Sequence, residues 1–259
     1  MKLTGKDKGM LMVELKNMDK INPDAGKKIK PYMEKFLFVH GESIISVFIY
    51  GSATCGDYVK GASDVNSAIV FKNIGYSELK KSLQIVDKGI RHRINTPLFL
   101  TREHIMTSLD TFPIEFIEMK ESHVVIYGED VLADINIDPV NIRFVCEEQI
   151  KGKLIRMRQA YLEIGLREKG IEALIKESFT SLFPVLIGLL RVKGIAPLKT
   201  KKENIKALGD AFGIDTDILF AILADKQNDG KINGQDLESA FFQYIEQLEK
   251  LGNIADQLR

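Results

Sequence analysis

The segment Tyr50–Phe71, YGSATCGDYVKGASDVNSAIVF, contains the residues of this chain with the clearest chemical potential. Gly51 and Ser52 follow one apolar run, and Asp64 and Asn66 stand two positions apart at the start of another. A glycine lets the backbone approach a ligand closely, and the N–H groups and hydroxyl after it can bind phosphate oxygens. Carboxylate and amide oxygens suit Mg²⁺. The spacing indicates a phosphate-binding turn beside a metal site, although a Gly-Ser pair considered alone is more typical of a plain turn.

Two predicted strands would position these groups. Ser43–Tyr50 (SIISVFIY) is rich in β-branched and aromatic residues and should end where Gly51 turns the chain. Val65–Phe71 resumes an extended apolar run. Because side chains alternate across a strand, Asp64 and Asn66 should point to one side while Val65 points into the core.

This arrangement resembles the nucleotidyltransferase superfamily, which includes the aminoglycoside nucleotidyltransferases and the minimal nucleotidyltransferases. Their pattern is an apolar residue, Gly-Ser, a short loop and then Asp-apolar-Asp/Glu. Gly51, Ser52 and Asp64 match it, whereas Asn66 stands in place of the second acid and Ser67 in place of an apolar residue. The resemblance covers Ser43 to Asp130 and includes blocks similar to those of bacterial chains, namely TPLFLTREHI, FPIEFIEMK and IYGED.

The resemblance implies a set of roles. Asp64 would bind magnesium together with Asn66, and Gly51 and Ser52 would hold the terminal phosphates of ATP or another nucleoside triphosphate. Lys60, in the loop between them, would assist with the phosphates. Two metal ions of this kind stabilise the attacking and leaving oxygens of a nucleotidyl transfer.

A third carboxylate is expected from a later strand, and FPIEFIEMK offers Glu115 and Glu118. If this segment is a strand, Ile114 and Phe116 face the core and Glu115 faces away from them. We therefore predict Glu115 as the third metal ligand or the general base, with Glu118 as the alternative.

The neutral side chain of Asn66 is the feature that separates the functional hypotheses. Its amide is neutral and offers one oxygen, so metal affinity should fall relative to a carboxylate. The first hypothesis is an enzyme that transfers a nucleoside monophosphate from a nucleoside triphosphate to a hydroxyl of a small molecule or protein. The second is a catalytically degenerate nucleotide-binding regulator. The third is a partner-binding protein, antitoxin-like or an obligate dimer.

The composition is that of a soluble globular protein. The 259 residues are 45% hydrophobic and 28% charged, with 36 basic and 36 acidic side chains. A balanced charge gives no general attraction to nucleic acid or anionic membranes, but it leaves room for a local basic patch. The N-terminus lacks the continuous apolar stretch of a signal peptide, and the apolar segment around Phe179–Val192 is short and contains Pro184. Together with only two cysteines, these features predict a cytoplasmic protein outside the membrane.

The chain divides near Asp138-Pro139 into two predicted domains. In residues 1–138, strand and helix signals alternate, which predicts an α/β nucleotidyltransferase domain with a mixed sheet. Besides the strands already named, the pattern predicts helices at Ala25–Val39 and Ser77–Gly89, strands at Pro97–Leu100, Ile114 and Val124–Tyr127, and a short helix capped by Thr101.

Residues 139–259 carry only helical patterns and predict an all-α helical bundle domain. The five expected helices are centred on Phe144–Ile164, Leu174–Leu190, Glu203–Phe212, Asp215–Ala224 and Asp236–Leu258. By resemblance, such a domain helps form the acceptor site or a homodimer contact.

A second motif lies in this half. Asp225–Asp236, DKQNDGKINGQD, imitates a calcium-binding EF-hand loop between two helices. Gln227 and Asp236 replace preferred ligands, which should weaken calcium binding. The alternative is a polar loop in which Asp236 caps the last helix.

Overall fold

Four strands form one mixed sheet in the order β3-β2-β1-β4. They are β1 (Ile44–Tyr50), β2 (Asn66–Phe71), β3 (Leu98–Thr101) and β4 (His123–Gly128). β1 is antiparallel to both of its neighbours, and β2 is parallel to β3. The mixed sheet and its four strands were predicted by the alternating apolar patterns.

The computed structural model describes residues 14–56, 58–61, 63–92, 94–164, 168–228 and 236–258. The chain splits into two compact units. One contains the described residues up to Leu109 together with Glu115–Asn136, and the other contains Asp110–Ile114 and the described residues from Ile137 onward. The sheet lies entirely in the first unit.

Five helices accompany the strands along the chain. They are α1 (Pro23–His40), α2 (Ser52–Cys55), α3 (Tyr76–Ile90), α4 (Arg102–Thr107) and α5 (Pro113–Glu121), with single 3₁₀ turns at Met18–Lys20 and Gly41–Ser43. The hydroxyl of Thr101 accepts a hydrogen bond from the His104 N–H at 3.0 Å, which confirms the predicted cap of α4. The α1 and α3 helices are also confirmed, close to their expected bounds.

The core of the first unit lies between the sheet and α1. Alternate residues of the two central strands face this core, among them Val47 and Ile49 of β1 and Ile69 of β2, all fully buried. From α1 the core receives Ile29, Met33 and Phe36. The intervening residues of β1 and β2 therefore face the opposite side of the sheet.

The predicted strand at Ile114 is wrong, because FPIEFIEMK forms helix α5. Pro113 occupies the first helical position, where its fixed φ favours a helix and its missing N–H costs nothing. Pro113, Phe116 and Met119 are all buried, and this three-residue spacing matches one helix face. The alternation argument that selected Glu115 consequently does not apply to this segment.

The second unit contains all five predicted helices. They are α6 (Pro139–Ile164), α7 (Glu168–Val192), α8 (Lys201–Phe212), α9 (Asp217–Asn228) and α10 (Leu237–Gln257). Helices α6, α7 and α10 pack against one another. Pro184 lies inside α7 without ending it, so this helix is longer than the apolar run predicted.

By length and composition, Gly170–Val192 could cross a membrane. The most apolar 18-residue stretch of this segment is 56% buried within the structure, and burial of this kind is also found in core helices of soluble proteins. Packing in the helical unit thus covers just over half of this apolar stretch.

The proposed calcium loop lies largely outside the described residues, since 229–235 are not among them. At its ends, Asp225 is buried with its carboxylate 2.6 Å from Lys176 Nζ. The Asp236 carboxylate accepts from the Glu238 N–H at 3.3 Å and caps α10. The predicted capping role of Asp236 is confirmed, and Asp225 already has a cationic partner.

Two glycines of the helical unit make a matched test of its packing. A Cβ at Gly188 would lie 2.7 Å from Cys146 Sγ, whereas at Gly152 the nearest atoms are the flexible Arg156 guanidinium nitrogens at 3.6 Å. We expect Gly188→Ala to lower the free energy of unfolding by about 1–3 kcal/mol through overpacking. Gly152→Ala should raise it by about 0.5–1 kcal/mol through helix propensity. Urea denaturation measures both, and equal effects would contradict this packing.

His40 predicts a pH dependence of stability. Its Nε2–H donates to Ser82 Oγ at 2.9 Å, because that hydroxyl donates its own hydrogen to the Glu78 carbonyl. Burial, and then the Lys81 charge, lowers the pKa of His40 below its usual 6.5, with Glu78 acting in the opposite direction. The unfolded chain therefore binds a proton at a higher pH than the folded chain.

This contribution to stability is present above the unfolded pKa and is lost as the pH falls from about 6.5 toward the lower folded pKa. Urea unfolding across this window should show stability decreasing on acidification. His40→Gln should flatten that slope, whereas substitution of the exposed His104 by Gln should leave it unchanged. An unaltered slope in His40→Gln would show that His40 is not responsible.

Candidate functional site

Gly51 ends β1 in a conformation that only glycine adopts easily, with φ 77° and ψ −149°. Its N–H donates to the Ser122 carbonyl at 3.2 Å. The Thr54 hydroxyl lies 2.8 Å from the carbonyl oxygens of both Gly51 and Ser122. The predicted turn therefore exists, and it is tied to the residue that precedes β4.

Ser52 opens the short helix α2 directly after this turn. Its neighbour Ala53 is buried, and the Ala53 carbonyl accepts from the Asn22 N–H at the start of α1 at 2.9 Å. The Ser52 side chain is half-buried, and no hydrogen bond within the described part of the chain engages its hydroxyl. This hydroxyl is thus available to a ligand.

Asn66 lies beside the turn, as predicted. It pairs with Tyr50 across β1 and β2, and a Cβ added to Gly51 would lie 3.4 Å from Asn66 Nδ2. Its Oδ1 accepts a hydrogen bond from Asn95 Nδ2 at 2.7 Å. The oxygen that would ligate a metal therefore already has a partner.

Asp64 precedes β2 by two residues and is exposed. Val65 is fully buried in the core under α1, whereas Asn66 is half-buried. This pattern confirms the predicted alternation, with Asp64 and Asn66 on the side away from that core. The Val65 carbonyl accepts from the Asn95 N–H at 3.3 Å, so the segment before β3 runs beside this entry to β2.

Two aromatic side chains complete this end of the sheet. Tyr50 pairs with Asn66 on one side and with His123 of β4 on the other. Burial raises the pKa of Tyr50, so its hydroxyl stays protonated at neutral pH. His123 Nδ1 lies 3.0 Å from the Lys120 carbonyl, and Nε2 lies 3.0 Å from Asp130 Oδ1.

Sequence reasoning missed His123 because four scattered histidines gave no pattern. The signal that could have found it was strand order: β4 pairs with β1, so its first residue must meet the end of β1. Asn95 was missed for a similar reason, since its position beside Asn66 depends on the parallel pairing that continues into β3.

Glu115 is exposed in the first turn of α5. This helix leads to Ser122, which bonds the Gly51 turn, but seven residues of helical rise separate the two by about 10 Å. Within the described residues, no hydrogen bond or ion pair joins Glu115 to Asp64, Asn66 or Gly51. Neither β3 nor β4 carries a carboxylate at this end of the sheet.

Lys60 is directed toward α1. Its ammonium lies 3.2 Å from Asp24 Oδ1, and its side chain is 74% exposed. An exposed ion pair of this kind contributes little to stability and is easily exchanged for another anion. Lys60 thus remains free to rearrange toward a phosphate.

Few oxygen donors lie beside the Gly51 turn. They comprise one carboxylate, Asp64, and the amide oxygen of Asn66. In the described part of the chain, no group of three or more His, Cys, Asp or Glu side chains could hold a metal ion. Magnesium is commonly bound through one or two carboxylates, with waters and substrate phosphates filling its octahedron. The donor set therefore fits an ion held jointly with a nucleotide.

No protein-family model matches the chain, and no curated protein matches it in sequence. Among solved structures, it is similar to spectinomycin adenyltransferase AAD(9) from Enterococcus faecialis, crystallised with ATP and spectinomycin. The TM-score is 0.52 at 13% identity, and the match covers 88% of this chain and 99% of that chain. The chain thus has a fold similar to that of this adenyltransferase.

The Gly51 turn can be tested by a matched pair of substitutions. Gly51→Ala should lower the free energy of unfolding by about 1–3 kcal/mol, because alanine is strained at this φ and ψ. Gly26→Ala, inside α1 with its nearest new contact an ordinary 3.7 Å from Met18 Cε, should raise it by about 0.5–1 kcal/mol. Urea denaturation distinguishes the two, and a stabilising Gly51→Ala would refute the strained turn.

Proposed function

We propose that this protein is a nucleotidyltransferase that transfers a nucleoside monophosphate from ATP to a hydroxyl group of a small molecule, with magnesium. One observation carries the proposal: Asn66 lies against Gly51, with Asp64 exposed two residues earlier on the same side of β2. The shared fold with an adenyltransferase that binds ATP and spectinomycin supports it.

In this proposal the Gly51-Ser52 turn binds the terminal phosphates. The glycine allows close approach, and the free Ser52 hydroxyl supplies a donor. Lys60 would leave its exposed pair with Asp24 and approach the same phosphates as a charge-assisted donor. These contacts would fix the triphosphate so that its α-phosphorus faces the acceptor.

Asp64 and Asn66 would hold magnesium together with the nucleotide. The ion, when bound, neutralises charge on the phosphate oxygens and orients them. Binding through Asn66 requires its Oδ1 to exchange the Asn95 amide for the ion. Tyr50, protonated at neutral pH, can donate a hydrogen bond on the same face of the sheet.

The transfer itself is a substitution at phosphorus. The acceptor oxygen forms a bond to the α-phosphorus, the bond from that phosphorus to the bridging oxygen breaks, and pyrophosphate leaves. A general base must accept the proton of the acceptor hydroxyl, and a carboxylate can serve as that base. Asp64 is one candidate for this base, because it is the carboxylate beside the turn. Glu115, an exposed carboxylate of the helix that leads to Ser122, is the other candidate.

Nucleotide binding and turnover can be measured separately. ATP with magnesium should raise the melting temperature of the purified protein, and Asp64→Asn should remove the magnesium-dependent part of that rise. Asp87→Asn, at an exposed acid of α3 paired with Arg91, is the control and should behave as wild type. No magnesium-dependent rise at millimolar ATP would refute the proposed site.

Turnover is measured as pyrophosphate release with candidate hydroxyl acceptors. Because a catalytic metal contributes several kcal/mol, Asp64→Asn should lower the rate about a hundredfold or more. Asn66→Asp adds the absent charge and should raise the rate severalfold. Glu115→Gln should lower it about a hundredfold if Glu115 is the general base. Melting shifts without any pyrophosphate release would instead identify a nucleotide-binding regulator.

A further inference from the structure

A cavity of about 380 Å³ is lined by residues of α1, of α3 and of the segment after α3, and its lining does not include Gly51, Ser52, Asp64 or Asn66. We call it the lysine cavity. Its polar lining consists of Lys27, Lys28, Lys35 and Tyr32 from α1, Lys88 from α3 and His92 from the segment after α3. Its volume is in the range of small-molecule sites.

The charge of the lysine cavity is not compensated locally. No acidic side chain belongs to its lining. Among the described residues, none of its four lysine ammonium groups has a carboxylate within 4.0 Å. Asp24 and Asp87 form exposed ion pairs with Lys60 and Arg91. Glu34, although it precedes Lys35, forms no ion pair with a lysine of the lining within the part of the chain that the structure describes. Although the chain has a net charge of zero, this local concentration of positive charge creates a potential that favours the binding of an anion.

Tyr32 supplies the second observation. It is only 5% exposed, and its hydroxyl is buried without a hydrogen-bond partner in the described part of the chain. Burial raises its pKa to about 12, so the hydroxyl remains a donor at neutral pH. A buried hydroxyl without a partner is unfavourable, and an acceptor bound in the cavity would remove that cost.

Gly89 makes room for this tyrosine. A Cβ at position 89 would lie 2.5 Å from Tyr32 Cε2 and 2.8 Å from its hydroxyl oxygen. The Gly89 carbonyl also accepts from the His92 and Ile94 N–H groups at 2.9 and 3.1 Å, which fixes the segment bearing His92. The cavity is therefore bounded by a rigid helix end as well as by flexible lysines.

We propose that the lysine cavity binds a small, multiply charged phosphate compound, with the lysines pairing with its oxygens and Tyr32 donating a hydrogen bond to one of them. Phosphate oxygens are strong acceptors, and lysine ammonium groups bind them as point charges. The ligand is either a free polyphosphate or the phosphate arm of a nucleotide. The inference does not depend on the proposed transferase activity, because it uses none of that site's residues.

Binding is tested by calorimetry with inorganic tripolyphosphate in EDTA, which silences any magnesium-dependent site. The wild-type protein should bind, and binding should weaken as salt is added. Lys28→Gln combined with Lys88→Gln should raise Kd at least tenfold. The matched control is Lys30→Gln, because Lys30 is an exposed lysine of α1 outside the lining; its Kd should be unchanged.

Tyr32→Phe separates a ligand contact from a structural role. Because its hydroxyl has no partner in the free protein, removing it should leave the ligand-free melting temperature unchanged or higher. The Kd for tripolyphosphate should nevertheless rise about tenfold, the usual effect of losing a hydrogen bond to a charged group. A variant with unchanged affinity would exclude Tyr32 as a contact.

Competition between ATP and tripolyphosphate distinguishes the two possible sources of the phosphate. ATP that displaces tripolyphosphate in EDTA would identify the phosphate arm of a nucleotide, whereas tripolyphosphate that resists ATP would identify a free polyphosphate. Absence of any binding heat at millimolar tripolyphosphate, or equal affinity in the wild type and the double lysine variant, would overturn the proposal. Neither result depends on whether the Gly51 site turns over ATP.

Discussion

The backbone of Gly51 is the constraint from which the site is built. At φ 77° it turns the chain out of β1 while its N–H still reaches the Ser122 carbonyl before β4. The missing side chain leaves space for the Asn66 amide from β2. A side chain here would strain the turn and crowd the amide, so the close approach of the turn to Asn66 depends on this residue being glycine.

Most of the fold follows from periodicity that is visible in the sequence. The apolar runs ending at Tyr50 and Phe71 gave β1 and β2, and the three- and four-residue spacing after Pro139 gave the five helices. Alternation correctly assigned Val65 to the core and Asn66 to the other face. These predictions succeed because burial of one face dominates the local energetics.

The misassigned segment shows where periodicity is ambiguous. FPIEFIEMK satisfies an alternating pattern at Ile114 and Phe116 and a helical pattern at Pro113, Phe116 and Met119. A short apolar run cannot decide between the two, and the proline at its start favours the helix. The partners of Asn66 and Tyr50, Asn95 and His123, were hidden for a different reason. They come from pairings distant in sequence, which no local pattern encodes.

Gly89 contributes to the lysine cavity chiefly by having no side chain, which leaves space for the Tyr32 ring. Three of the four lysines that line the cavity are exposed and Lys28 is half-buried, and the loss of any one of them would change the local charge by one unit. Even alanine at position 89, in contrast, would displace the Tyr32 ring, which lines the cavity. Substitutions of the lysines could therefore accumulate one at a time while the cavity persists, whereas a single added methyl group at position 89 would displace Tyr32 from its position in the lining. The least reactive residue of the cavity is thus the one with the narrowest evolutionary freedom.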